Sequence, residues 1–100
     1  MCFTIDITDF AYDDLRAIKP YYRRRIIDAI HHQLQNEPTV ETRNRKVLAG
    51  VKPSFEHKVP VWELRVASYR VYYDVSEQSM TVLIRAVRLK PPHSTTEQIV

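Results

Sequence analysis

The chain has 100 residues, of which 44% are hydrophobic and 27% charged, and a formal net charge of +3. That length supports one hydrophobic core, expected across residues 1–100 as a single domain, and leaves no room for a second. No apolar run nears the roughly 20 residues a spanning helix needs, no basic-then-apolar leader opens the chain, and the single Cys2 can form neither an internal disulfide nor a cysteine metal cluster. A reducing cytoplasm is the expected compartment, with no membrane, metal or cofactor role.

Phe3, Ile5 and Ile7 alternate with Thr4 and Asp6, which predicts a strand with one buried face. Thr8 or Asp9 can cap a following helix, whose inward residues should be Phe10, Ala11, Leu15 and Ile18. Lys19-Pro20 ends it, and Pro20 suits the first turn of a second helix running from Tyr21 to about Asn36. There Ile26, Ile27, Ile30 and Leu34 recur at three and four residues, so the two helices should pair antiparallel with an apolar stripe facing a sheet. The segment 39–60 is irregular, with Lys46-Val47-Leu48 as a short strand. It is also basic: Arg43, Arg45, Lys46, Lys52 and Lys58 stand against Glu56 alone between Thr42 and Lys58, a pattern that suits nucleic acid or an acidic partner.

Trp62 to Val75 reads as a hairpin turning at Ala67-Ser68, followed by a polar turn at Ser76–Ser79 and a strand from Met80 to Val87. Pro91-Pro92 forces the chain out of the sheet, and Ser94 with Glu97 has the spacing of a capping box for a short terminal turn. The expected architecture is α+β: an N-terminal strand and two-helix hairpin packed on one face of a small antiparallel-rich sheet, with a short C-terminal tail.

A two-residue turn makes Val66 face Tyr69, Arg65 face Arg70, Leu64 face Val71 and Trp62 face Tyr73. Side chains alternate across a strand, so Trp62, Leu64, Val66, Tyr69, Val71 and Tyr73 form a core face, while Glu63, Arg65, Arg70 and Tyr72 share the other. Two arginines directly opposite each other repel. Their charge is permanent and their donors are planar, so the pair could clamp one phosphate between two guanidinium groups; the alternative is that Glu63 and Asp74 neutralise them as surface ion pairs. Lys46, Lys52, Arg85, Arg88 and Lys90 would supply further cations along an RNA path. His93 can exchange protons near neutrality and becomes an acid or base candidate if the tail folds back, with Glu63 and Tyr72 as the other candidates. Adjacent His31 and His32 point about 100° apart on a helix and cannot share a metal.

The element order, the run Arg65-Val66-Ala67-Ser68-Tyr69-Arg70-Val71-Tyr72-Tyr73 and the basic segment Arg45-Lys46-Val47-Leu48-Ala49-Gly50 together resemble the RelE/ParE toxin superfamily of type II toxin–antitoxin systems, from about Phe3 to His93. The resemblance implies a RelE-like fold, an antitoxin partner and an mRNA endoribonuclease that inhibits translation at the ribosome. It assigns Arg65 and Arg70 to phosphate binding, with His93 beside them. RelE-like lysines are replaced here by Val61 and Glu63, the usual turn glycine by Ala67, and the late tyrosine has no counterpart in Pro91-Pro92-His93-Ser94. A ParE-like gyrase inhibitor and a toxin fold that only binds its partner are the other readings the resemblance allows.

Overall fold

The computed structural model describes residues 2–100 and contains five strands and three helices. In chain order these are β1 (Thr4–Ile7), α1 (Asp9–Arg16), α2 (Pro20–Leu34), β2 (Arg45–Val47), β3 (Trp62–Val66), β4 (Tyr69–Ser76), β5 (Thr81–Leu89) and α3 (Thr96–Ile99). The strands form one sheet in the order β1-β5-β4-β3-β2, antiparallel throughout except that β1 lies parallel to β5. The α+β architecture read from the sequence is therefore present. No described helix is long and apolar enough to cross a membrane.

Thr8 sets the phase of α1. Its hydroxyl accepts from the Ala11 N–H at 3.3 Å and donates to the Ile84 carbonyl at 2.7 Å, so one side chain caps the helix and ties it to β5. Ala11 and Leu15, four residues apart, are then buried. Phe10, expected inward, is instead 52% exposed, because it lies about 100° around the helix from Ala11. Along α2, Ile26, Ile30 and Leu34 are buried, with Pro20 in the first turn. The Arg23 guanidinium donates to the carbonyls of Leu15, Arg16 and Ile18, which closes the end of α1. These helical residues pack on Trp62, Leu64, Val66, Val71 and Tyr73, from the hairpin face predicted to be core, and on Val82, Ile84 and Val87 of β5.

The middle of the opposite face is also covered. Phe55 and Val61 pack on Tyr72 and Ala86, with Leu48, Ile99 and Val100 against them. The Ser54 N–H and hydroxyl both donate to the Val100 carbonyl, at 3.0 and 2.7 Å, and hold the tail down. The terminal helix starts one residue later than expected: the Gln98 side chain, not that of Glu97, accepts from the Thr95 N–H at 2.8 Å.

The hairpin has the predicted register, including Arg65 opposite Arg70, and Ala67 in its turn has φ of +53°. A β-bulge then interrupts the β4–β5 ladder: Tyr72 pairs with Ala86 and Tyr73 with Ile84, leaving Arg85 extra. Strict alternation from Val82 and Ile84 would send Ala86 and Arg88 into the core. The bulge reverses the phase, so Val87 joins the core while Ala86 sits on Tyr72 and Arg88 pairs with Arg70 on the outer face.

Candidate functional site

The bulge aligns three arginines on one face of three neighbouring strands: Arg65 on β3, Arg70 on β4 and Arg88 on β5 are consecutive register partners. The Arg65 N–H donates outward to Asn44, so the Arg65–Arg70 pair is the close, non-hydrogen-bonded kind, with Cα atoms about 4.5 Å apart. The next pair, Arg70 with Arg88, is about 5.5 Å apart at the backbone.

Among the described residues, neither Arg65 nor Arg70 makes an ion pair. Arg70 is buried, and its Nη1 donates to the carbonyls of Ala67 and Tyr69 at 3.0 and 2.8 Å. Those bonds fix the guanidinium at the hairpin turn and leave its charge uncompensated. Arg65 is exposed. The carboxylates that could have neutralised the pair are engaged elsewhere. Glu63 Oε2 accepts from the Tyr72 hydroxyl at 2.8 Å, and Glu63 Oε1 lies 3.6 Å from Lys46. Asp74 accepts from Arg85 through both oxygens, at 2.7 and 3.2 Å.

The remaining candidate residues divide by environment. Arg85 was expected on the RNA path and is instead buried and forked onto Asp74, because the bulge drops it beside that carboxylate. Lys46 is exposed on β2 beside Glu63, and Lys52 is exposed in the covering segment. Lys90 follows β5, where its N–H donates to the Ser68 carbonyl at 2.8 Å and holds the strand end against the hairpin turn. Arg88 is on the site face, but Asp14 Oδ2 accepts from its Nη1 at 2.5 Å. The tail does fold back, since Thr96 Oγ1 reaches Glu63 Oε2 at 3.4 Å. His93 occupies the turn before it, exposed and at φ of +66°, and no contact brings it to Arg65 or Arg70.

Glu63 and Tyr72, the alternative proton carriers, are both buried and bonded to each other. Burial pushes the Tyr72 phenol well above its ordinary value, and the negative charge of Glu63 and the hydrogen bond to it push the same way. Burial raises Tyr73 likewise, with the nearby Arg45 charge opposing, and the Tyr73 hydroxyl donates to the Pro38 carbonyl at 2.6 Å. Both phenols are structural donors. Asp14 and Phe55 are the contributors that sequence reasoning missed: Asp14 reads locally as an N-terminal helix acid, and Phe55 stands alone in an irregular segment. No group of three or more His, Cys, Asp or Glu among the described residues is arranged to hold a metal ion. A groove of about 670 Å³ between the α1–α2 connection and β5 is lined by Asp14, Ile18, Tyr22, Tyr69, Arg88 and Leu89.

The fold is that of RelE-type toxin structures. The chain is similar to the toxin–antitoxin complex RelBE2 from Mycobacterium tuberculosis, at 22% identity, TM-score 0.71, and 90% and 93% coverage of this chain and that one. It is similar to the archaeal RelE–RelB complex from Pyrococcus horikoshii, at 19% identity, TM-score 0.68 and 95% and 100% coverage. The isolated E. coli RelE toxin matches at 22% identity, TM-score 0.63 and 96% and 92% coverage. Comparison with curated proteins gives no match. Residues 5–89 match the family described as ParE toxin of type II toxin-antitoxin system, parDE. The chain belongs to that family, within the RelE/ParE superfamily, and is a toxin of a type II toxin–antitoxin system.

Proposed function

We propose that this toxin is an endoribonuclease that cuts mRNA, with the ribosome supplying part of the substrate geometry, and that a cognate antitoxin holds it inactive. The observation that carries the reading is the Arg65–Arg70 pair, two permanent cations opposed across a hairpin and free of carboxylates. Such an arrangement is unfavourable until an anion enters, and a phosphodiester matches it through paired N–H donors. In the proposed reaction the 2′-hydroxyl attacks the adjacent phosphorus and the 5′-oxygen leaves. Arg65 and Arg70 stabilise the charge that accumulates on the non-bridging oxygens. His93 is assigned one proton transfer, as base for the 2′-hydroxyl or acid for the leaving oxygen, with water exchanging the other proton; its exposed turn makes no contact with Arg65 or Arg70 and would have to close on the bound strand. Lys46, Lys52 and Lys90 attract the strand on either side.

The antitoxin partner is supported by the RelBE2 and RelE–RelB structures, both of which are toxin–antitoxin complexes. Action on ribosome-bound mRNA would make the protein cytoplasmic. A second reading, inhibition of a topoisomerase by contact alone, is favoured by the match to the ParE family and by the mutual engagement of Glu63 and Tyr72, which removes two proton carriers from the site.

Expressing the chain without an antitoxin and mapping mRNA 5′ ends separates the two. Cuts within translated regions that disappear with Arg70→Ala are expected. Growth arrest with intact mRNA and induction of DNA-damage signalling would overturn the nuclease in favour of the second reading.

A further inference from the structure

We propose that Asp14 is an electrostatic latch that holds Arg88 away from the phosphate-binding pair and thereby sets the affinity of the site for RNA; this rests on the RNA-binding reading of Arg65 and Arg70. Arg88 is the third member of the row across β3, β4 and β5, and it is the only one of the three with a carboxylate partner. Asp14 Oδ2 accepts a hydrogen bond from Arg88 Nη1 and also accepts from the Val87 N–H at 3.0 Å. The second bond explains why the carboxylate is fixed there. Beyond Ile84, β5 has no strand on its β1 side, and Asp14 supplies the acceptor a strand would have provided.

The Arg88 guanidinium is further steadied between two rings, its central carbon 5.3 Å from the centroid of Phe10 and 5.8 Å from that of Phe55. Phe10 is the residue that turns outward from α1, and Phe55 covers Tyr72 on the site face. The two side chains of the ion pair are 24% and 22% exposed. Solvent and a polyanion can therefore reach the pair, while partial burial keeps it from being fully screened. Asp14 lowers the affinity of the row twice: it occupies a donor of Arg88, and it presents a negative charge to an approaching phosphate. Releasing Arg88 extends a two-arginine clamp to three.

Asp14→Asn is the direct test. The amide oxygen can still accept the Val87 N–H, while the charge is lost. The probe is a short single-stranded oligoribonucleotide carrying 2′-O-methyl groups, which binds without being cut. Asp14→Asn should bind it about three- to tenfold more tightly at ~0.1 M salt, with a salt-dependence slope steeper by about one phosphate contact. The gain should vanish when Arg88→Ala is added. Circular dichroism and melting confirm folding, and Asp14→Ser repeats the charge removal if Asp14→Asn melts early. Unchanged or weaker binding by the charge-removed variants, with Arg70→Ala still impaired, overturns the latch and leaves the RNA-site reading standing. Arg70→Ala binding as tightly as the unsubstituted protein overturns the RNA site and the latch together.

Discussion

Arg70 and Arg85 are equally buried, each 8% exposed, on adjacent strands and the same face, yet they should respond oppositely to perturbation. Arg85 is forked onto Asp74, whose Oδ2 also accepts from the Lys58 N–H at 3.0 Å. Asp74→Ala strands a buried guanidinium and orphans that N–H, a class of change that costs about 3–5 kcal/mol. Glu56, 3.9 Å from Arg85 but with a 93% exposed side chain, recovers little of this. At about 4–8 °C per kcal/mol for a chain of this size, the melting temperature should fall by roughly 12 °C or more. Arg70→Ala removes two hydrogen bonds to hairpin carbonyls, which water can replace, and relieves the repulsion from Arg65, a gain of about 0.2–1 kcal/mol. Its net effect should lie within about 1 kcal/mol. Denaturant titration of both variants, with the Asp74→Leu/Arg85→Leu double variant expected to recover most of the loss, is the assay. If Arg70→Ala proves as destabilising as Asp74→Ala, Arg70 is a structural cation and the argument that it awaits a ligand fails.

Ala67→Gly should stabilise the protein by about 0.5–1 kcal/mol, since Ala67 sits at φ of +53°, and thermal melting that shows a loss would contradict the strain argument. Thr8→Ala should cost about 1 kcal/mol or somewhat more in denaturant titration, because the same hydroxyl caps α1 and bonds the Ile84 carbonyl. Both buried phenols have folded values raised above the ordinary one near 10, so their contribution is fully present below about pH 10 and is lost as pH rises above it. Stability measured across pH 9–12 should therefore fall, and Tyr72→Phe should make that fall shallower.

Much of this organisation is local and therefore readable from the chain. The hairpin register follows from a two-residue turn between alternating segments, and it placed Arg65 opposite Arg70 correctly. The apolar stripe of α2 and the core face of β3 and β4 follow from periods of 3.6 and 2. Where the expectations failed, tertiary contacts decided. The burial of Glu63 and Tyr72 depends on Phe55, Ile99 and Val100 arriving from segments without periodicity. Phe10 faces outward because Thr8 bonds to both α1 and β5 and so fixes the helix phase.

The bulge at Arg85 is the deeper reason that sequence patterning read the site only in part. Val82 and Ile84 run in phase with the core, Val87 runs out of phase with them, and period-2 reasoning has no rule for which residue between them is the extra one. Once the bulge is placed at Arg85, two outcomes follow together. Arg85 meets Asp74 and becomes part of the frame, and Arg88 moves from an inward phase to the outer face beside Arg70. Deleting Arg85, the extra residue, would restore regular alternation with Ala86 still opposite Tyr72, Val87 in the core and Arg88 opposite Arg70, while removing the partner of Asp74. The buried Asp74 carboxylate, left without its guanidinium, should cost several kcal/mol, so the deletion should melt well below the parent protein while keeping Arg88 in the outer row; a deletion as stable as the parent would contradict this placement of the bulge. The irregularity in the ladder thus sets Arg85 into the frame with Asp74 and leaves Arg88 on the outer face beside Arg70.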